Sequence, residues 1–500
     1  MGVDSKHPLY IEFEPDWIQM RETSKSERVV KDQGTKYLPP TAGMVKDGVF
    51  TGKKTKGWKN YLAYRARAVF PEIVSQGIEA MLGVMHHKPA VIEVPAKLEP
   101  LIEKATLRNE SLQMLLRRIN EEQLTTGRLG IMLEVPEKSA ALPLIALYVA
   151  EDLINWDEGA RDETEIDALN LVVIDETEQE RTEDGFEWER VEKHRVLVLG
   201  DLVENETEGV YRVGVFREGK PFSEDALMEP SISGTMLEEI PFKFINTKDI
   251  VPTPDEPPLL GQSNLALTIY RGEADHRQAL HESGQDTLVT IGATNSDGSD
   301  EIRVGAGASI DLPMGGDAKF IGVDSSGLEE QRLSLESDYT RGESRANGLL
   351  EAVSRSAESG EALRVRVSAR TASLNQIAMA GAFGLQELLK IAARWIGANP
   401  DEVRVEPNLD FVADRLPGNE LVGYMTAKGL GAPLSLQSIH EALQERGLTT
   451  QTWEDELARL QAEADAGMPG AVVEGEDDTG ATEEGDPEEP EEEPEDDEEE

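Results

Sequence analysis

The residues able to do chemistry are few in kind. The seven histidines are His7, His86, His87, His194, His276, His281 and His440. His276 and His281 stand five apart in a helical pattern, whereas a metal pair on one helix face needs a spacing of three or four. His86 and His87 precede Lys88-Pro89 at a helix end, where cations complement the dipole. There is no cysteine, which removes disulfides, thiolate catalysis and Cys-ligated zinc or iron–sulfur centres. The run Gly305-Ala306-Gly307-Ala308-Ser309-Ile310 follows a strand pattern but lacks the third glycine and the helix of a dinucleotide fold. Between Gly48 and Lys54 the spacing is one short of a phosphate loop, and Lys54 stands where Ser or Thr is required. No Gly-x-Ser-x-Gly elbow is present. Carboxylates are abundant, so an enzyme that recruits Mg²⁺ through them stays open; nothing singles out a pair. No catalytic residue, metal ligand or cofactor is assigned.

Charge is the stronger signal. The 500 residues hold 49 Lys+Arg against 98 Asp+Glu, a net charge of -49. That balance argues against a free nucleic-acid-binding module, which needs basic patches for phosphate. Residues 467–500 carry 18 of the carboxylates and no Lys or Arg, and without them the body still holds -31. Such a run cannot bury apolar surface and is expected to be disordered, as a solubilising appendage or a binder of a basic partner. Deleting it should leave fold and assembly intact by circular dichroism and light scattering; lost assembly would overturn that reading. The first 60 residues run the other way, with 11 Lys/Arg against 8 Asp/Glu and Lys53, Lys54, Lys56 and Lys59 clustered. They read as a mildly basic arm facing an acidic neighbour subunit or phosphate, or as a solvated loop. Residues 251–330 hold Arg271, Arg277, Arg303 and Lys319 against 14 carboxylates, a net of -10. Residues 340–370 hold Arg341, Arg345, Arg355, Arg364, Arg366 and Arg370 against four glutamates, a net of +2.

The elements that must position these groups follow from periodicity. From Trp58 to Met85 the apolar residues recur at three- and four-residue steps, with breaks expected at Pro71 and Gly77. A second helix is expected over about 100–125. Strands are expected over 129–135, 144–149, 169–175, 187–198 and 210–217, so 57–250 reads as one α+β domain. The Pro-rich stretch from Val251 to Pro258 is a boundary. Beyond it come a helix over about 262–282, a Gly-rich strand-and-turn segment over 285–326, a helix over about 328–345, a small polar loop over 346–361, and a long helix over about 362–396. A strand at 403–405 and helices at 419–429, 435–446 and 452–465 close the pattern. No apolar run reaches the ~18–20 residues of a membrane span, and the N-terminus has no hydrophobic signal core. A soluble intracellular or virion protein is expected.

The order from Gly261 onward resembles the portal proteins of tailed bacteriophages. Local residues agree: Tyr37-Leu38-Pro39, Tyr64 to Phe70 with Arg65 and Arg67, Ile154-Asn155-Trp156, Pro257-Pro258-Leu259-Leu260 and Asn408-Leu409-Asp410-Phe411. The resemblance spans about residues 35–460 and rests on the ordered set. It implies an N-terminal arm (1–56), a wing α+β domain (57–250), a two-helix stem (251–284 and 327–345), a small β clip (285–326), a tunnel loop (346–361), a long wing-spanning helix with a strand (362–416), a short helical crown (417–466) and the acidic tail. It further implies a homo-oligomeric ring, usually of twelve subunits, at one capsid vertex of the virion after assembly in the host cytoplasm. Double-stranded DNA would pass through without sequence specificity, and the terminase motor, head–tail adaptors and the major capsid protein would be partners, with no membrane and no enzymatic activity. In that frame Asn347, Gly348, Glu351, Ser354, Arg355, Ser356 and Glu358 line the narrowest part of the channel, Arg355 being the best candidate for transient phosphate contact. Arg341, Arg345, Arg364, Arg366 and Arg370 would meet DNA or a neighbouring subunit, and Asn295, Asp297, Asp300, Glu301 and Arg303 would dock the motor and adaptors. A polar helix near 262–282, with Arg271, Glu273, Asp275, His276 and Arg277, suits a helical barrel better than a single-domain core. A head–tail adaptor is a further alternative, disfavoured by length.

Overall fold

The structure is a computed structural model. It describes residues 2–135, 142–159, 168–200, 209–217, 222–283, 287–291, 314–321, 326–346, 360–409, 411, 418–433, 435–445, 449 and 451–465, and over 360–371 the backbone alone. The chain divides into two units, Met1–Val412 and Ala413–Glu500.

In the first unit the helices are α1 (Pro8–Thr23), α2 (Glu27–Asp32), α3 (Ala42–Lys46), α4 (Lys56–Arg67), α5 (Ile73–Met85), α6 (Pro100–Glu103), α7 (Leu112–Thr125), α8 (Leu260–Ser283), α9 (Ser326–Ala346) and α10 (Gly360–Trp395). The strands are β1 (Val91–Glu93), β2 (Arg128–Glu134), β3 (Leu144–Val149), β4 (Leu153–Gly159), β5 (Ala168–Asp175), β6 (Glu178–Arg181), β7 (Trp188–Val191), β8 (Lys193–Leu199), β9 (Tyr211–Arg217), β10 (Phe242–Asn246), β11 (Thr287–Ile291), β12 (Asp317–Ile321) and β13 (Arg404–Glu406). All pairings are antiparallel: β10-β2-β3, β4-β5-β8-β9, and the two-stranded β1-β13, β6-β7 and β11-β12. Mixed helix and antiparallel sheet make this an α+β fold.

One apolar core lies between the two larger sheets, α7 and the C-terminal half of α10, with Leu115, Ile119, Ile131, Val172, Leu197, Phe242, Leu385 and Trp395 buried in it. Gly130 on β2 faces Phe242 on β10; a Cβ there would fall 2.2 Å from the ring, so the strands meet in register only with glycine. Gly381 does the same for α10. Its missing Cβ leaves room for Asn120 and Gln123 of α7, which hydrogen-bond each other at 2.8 Å while Gln123 donates to the Asn246 carbonyl at 2.6 Å. Lys97 donates to the Ile396 and Gly397 carbonyls, closing the α10 C-terminus. A second core gathers α1–α5 around α8, with Met20, Val30, Tyr61, Phe70, Ile73, Leu265, Ile269 and Tyr270 buried.

The N-terminal segment is therefore not a loose arm. Trp17 and Met20 of α1 are fully buried. Arg21 clamps Glu122 of α7 through both of its terminal nitrogens and reaches Glu151 with Nε at 2.9 Å. The helix starts at Pro8, which fits the first helical turn, and His7 caps it by accepting from the Leu9 amide at 3.2 Å. Other departures are local. The helix expected over 100–125 is interrupted between α6 and α7, where Asn109 takes φ 58° and Ser111 caps α7. Gly77 does not break α5, because it is a packing site for the Gln262 side-chain amide, whose Nε2 donates to the Ile73 carbonyl. The strand expected over 187–198 is two strands, β7 and β8. Strands β1, β4, β6 and β10 add to those expected.

The second unit holds α11 (Gly418–Gly429), α12 (Leu436–Glu445) and α13 (Trp453–Asp465). Ser435 caps α12 by accepting from the Ser438 amide at 2.9 Å. His440 packs against Trp453 with ring centroids 5.4 Å apart, joining α12 to α13. The acidic tail, the proposed channel-lining residues Asn347 to Glu358 and the group Asn295 to Arg303 lie outside the described residues.

Candidate functional site: the α8–α9 pair

Helices α8 and α9 bracket the β11–β12 hairpin and pack on each other. Gly272 allows the approach: a Cβ there would meet Leu335 Cδ2 at 2.8 Å. Gly342 does so one level further along, against Ile73 and Leu265. Burial on α8 ends in the middle of the helix. Leu265, Ala266, Leu267, Ile269, Tyr270 and Ala274 are in the core, whereas Leu280, His281 and Glu282 are exposed. On α9 most described positions are exposed, with Leu335 and Gly342 buried. The two helices therefore leave the core together and carry the hairpin at their far end. A cleft of about 400 Å³ separates them, lined by His276, Arg277, Leu280, Leu335 and Tyr339 among others.

The polar residues of α8 also bond within the subunit, while Arg271, Asp275 and Arg277 stay exposed. Arg271 donates from Nε to the Tyr37 carbonyl at 2.9 Å. Glu273 is buried, pairs with Arg277 at 2.5 Å and accepts from the Tyr339 hydroxyl at 3.2 Å. Burial and that glutamate push the Tyr339 phenol up to about 12. Asp275 accepts from the Tyr64 hydroxyl at 2.6 Å. On α9, Arg332 lies between Glu329 at 2.7 Å and Glu336 at 3.1 Å. Arg341 pairs with Asp338 of its own helix at 3.4 Å and stays half exposed. Arg345 lies on α9, and Arg364, Arg366 and Arg370 lie on α10; their side chains are outside the described residues.

The motif residues serve packing. Tyr37 and Leu38 are buried, and the Leu38 carbonyl accepts from Tyr61 at 3.1 Å. Arg65 donates to the Lys31 carbonyl at 3.0 Å, and Arg67 to Gln278 of α8. Asn408 reaches His87 at 3.0 Å, and Phe411 is in the second core. Trp156 is one layer of a stack that sequence reasoning missed. His7 stacks on it with ring centroids 4.0 Å apart, and the Arg128 guanidinium lies over it, 4.3 Å from that ring and 4.2 Å from Phe244. Arg128 is fully buried, donates to the Pro252 carbonyl, and has its pKa pushed down to about 9 by burial.

Carboxylates come together elsewhere, in a cleft of about 330 Å³ lined by Asp152, Asp175, Thr177, Glu178, Gln179 and Arg190. Burial, then Glu151 and Asp175, push the Asp152 carboxyl up to about 7. Among the described residues no group of three or more His, Cys, Asp and Glu side chains converges as a metal site would, and no helix is long and apolar enough to cross a membrane. The raised pKa has a definite sign. The folded chain keeps a proton on Asp152 that the unfolded chain releases near ~4, so this contribution is full below that pH and is lost as pH rises towards 7. Asp152→Asn should raise stability at pH 8 by ~1–3 kcal/mol and change it little at pH 4. Denaturant unfolding at both pH values checks this; equal effects at both would place Asp152 in a solvated setting.

Residues 258–396, from the turn before α8 to the end of α10, match a family model described as a domain of unknown function, DUF4055. None of the curated proteins compared matches the chain. Among solved structures, the neck of a native GTA particle computed with C12 symmetry is 13% identical, with 74% of this chain and 89% of that chain covered and a TM-score of 0.37. The virion of a native gene transfer agent particle gives 14%, 75%, 89% and 0.38. The neck of an empty GTA particle computed with C6 symmetry gives 13%, 81%, 93% and 0.36. Overlaps of that size do not establish a shared fold.

Proposed function

We propose that this chain is a structural head–tail protein of a tailed phage, and specifically the portal subunit. Copies close into a ring at one capsid vertex, and double-stranded DNA is packaged and later ejected through the central channel. The observation that carries this reading is the α8–α9 pair, which leaves the core together, brackets a small β hairpin and is followed by the long helix α10. A ring of such pairs makes a helical tube, with the hairpins at one end for the packaging motor and then the adaptors.

Charge supports the same role. A conduit must not grip its cargo, and dense Lys/Arg neutralisation of phosphates would hold DNA strongly through counterion release. The net of -10 over residues 251–330 keeps a duplex sliding, and the described arginines of α9 are matched to carboxylates of their own helix. Residues 340–370, which follow that acidic stretch in sequence, hold a net of +2 and would supply arginines for brief phosphate contact. In this reading the chain has no enzymatic activity. The carboxylate cleft at Asp152 is where an Mg²⁺-dependent alternative would reside, and Asp152→Asn in a complete particle should leave packaging unchanged. Multi-angle light scattering of the purified chain tests the ring: a large species of fixed mass is expected, and a stable monomer across concentration and salt would overturn the proposal.

A further inference from the structure

Two surfaces of the first unit are opposite in charge, each tipped by an exposed aromatic ring. The first is the segment from α3 into α4. Between Val45 and Lys59 it carries five lysines and one acidic residue, Asp47. Phe50 stands 68% exposed beside them. Lys53, Lys54 and Lys59 make no hydrogen bond or ion pair with the described residues, and Lys56 is 3.9 Å from Asp47. The segment is nonetheless built. Gly57 packs so closely that a Cβ would fall 2.3 Å from the Met44 carbonyl, and Thr55 donates to the Gly48 and Gly52 carbonyls.

The second surface is the β6–β7 hairpin. From Glu176 to Glu192 eight carboxylates stand against Arg181 and Arg190; Arg195, Lys193 and Arg217 of the neighbouring strands pair with Glu176, Glu178 and Glu180, and Glu183, Glu187 and Glu189 are left exposed around the tip. Phe186 at its tip is 89% exposed, and Trp188 is 58% exposed with Arg181 over its ring. Asp184 fixes the turn by accepting from the Thr182 hydroxyl and the Phe186 and Glu187 amides.

We infer that the lysine segment of one copy docks on the acidic hairpin of the next, Phe50 meeting the Phe186 and Trp188 rings. Aromatic anchors on preformed supports are the groups that dominate interfaces. Complementary charge steers the encounter and fixes its orientation. Two different patches meeting head to tail form a heterologous contact, the kind that closes rings. The inference deepens the ring reading and rests on it for closure alone. Nucleic acid is the competing occupant of the lysines, but it would leave the acidic aromatic hairpin without a role.

Charge reversal and mixing test it. One variant carries Lys53→Glu, Lys54→Glu and Lys59→Glu; the other carries Glu183→Lys, Glu187→Lys and Glu189→Lys. All six positions are on exposed surface, and circular dichroism checks that both variants fold. Each variant alone should need about tenfold more protein, or higher still, for half-assembly by mass photometry. A 1:1 mixture should assemble like the parent chain, because every contact in an alternating array is again complementary. Variants that assemble normally, or a mixture that does not recover, overturn the inference. So does a lysine variant that assembles normally but no longer retains DNA. The parent chain separates the two readings. Rings that ignore the reversals leave the portal reading standing without this contact. Open chains lost on reversal and regained on mixing leave the contact standing without the ring. A parent chain that stays monomeric overturns both.

Discussion

Replacing Gly381 by valine is expected to cost the first unit ~3–5 kcal/mol, combining overpacking with loss of buried hydrogen bonds. A Cβ at 381 would lie 2.7 Å from both Asn120 Nδ2 and Gln123 Oε1 and 3.2 Å from Ile119. These atoms cannot retreat freely. Asn120 Oδ1 is 2.9 Å from His86 Nε2, and Gln123 is held to the Asn246 carbonyl. The side chain would force α10 away from α7 and leave buried amides without partners. Gly83 is the control: it lies on α5 with nothing within 4 Å of an added Cβ. Gly83→Ala should stabilise the chain by roughly 0.5–1 kcal/mol, because alanine is the better helix former. Urea unfolding of both variants checks the pair. A loss below 1 kcal/mol at position 381 would mean that α10 does not sit against α7 as described.

Trp17→Ala should cost ~3–5 kcal/mol, the range for deleting a fully buried indole. Trp17 is edge-on to Tyr10 at 5.5 Å and stacks with Phe13 at 6.0 Å. A residue in a solvated arm would change stability by no more than about 0.5 kcal/mol. The measured value therefore decides between a packed first helix and an arm.

The helices from 260 onward were legible because their apolar spacing is regular and Pro, Gly or Asn-Pro bounds them. Their observed limits lie within about two residues of those read from periodicity. Helix α1 also carries a stripe, Tyr10, Phe13, Trp17 and Met20, but Pro8 and Pro15 obscure it. Proline at the first turn is compatible with a helix, and Pro15 is tolerated inside this one. Strand β10 is five residues long and follows irregular chain, and its pairing with β2 is set more than a hundred residues away. The partners of the polar residues on α8 were not legible for the same reason. Arg271, Glu273 and Asp275 meet Tyr37, Tyr339 and Tyr64, and no local pattern announces partners 234, 66 and 211 residues distant. The arginines beside the expected channel were read from charge alone. Arg341 shows what that leaves out, since its partner is Asp338 on its own helix.

The most direct test of the account is end-on electron microscopy of the purified full-length chain. Class averages should show closed rings of one or a few rotational orders with a central hole that admits a B-form duplex, its wall made by α8 and α9. Particles without a hole, or rings whose hole is lined by the β4-β5-β8-β9 sheet instead, would contradict it.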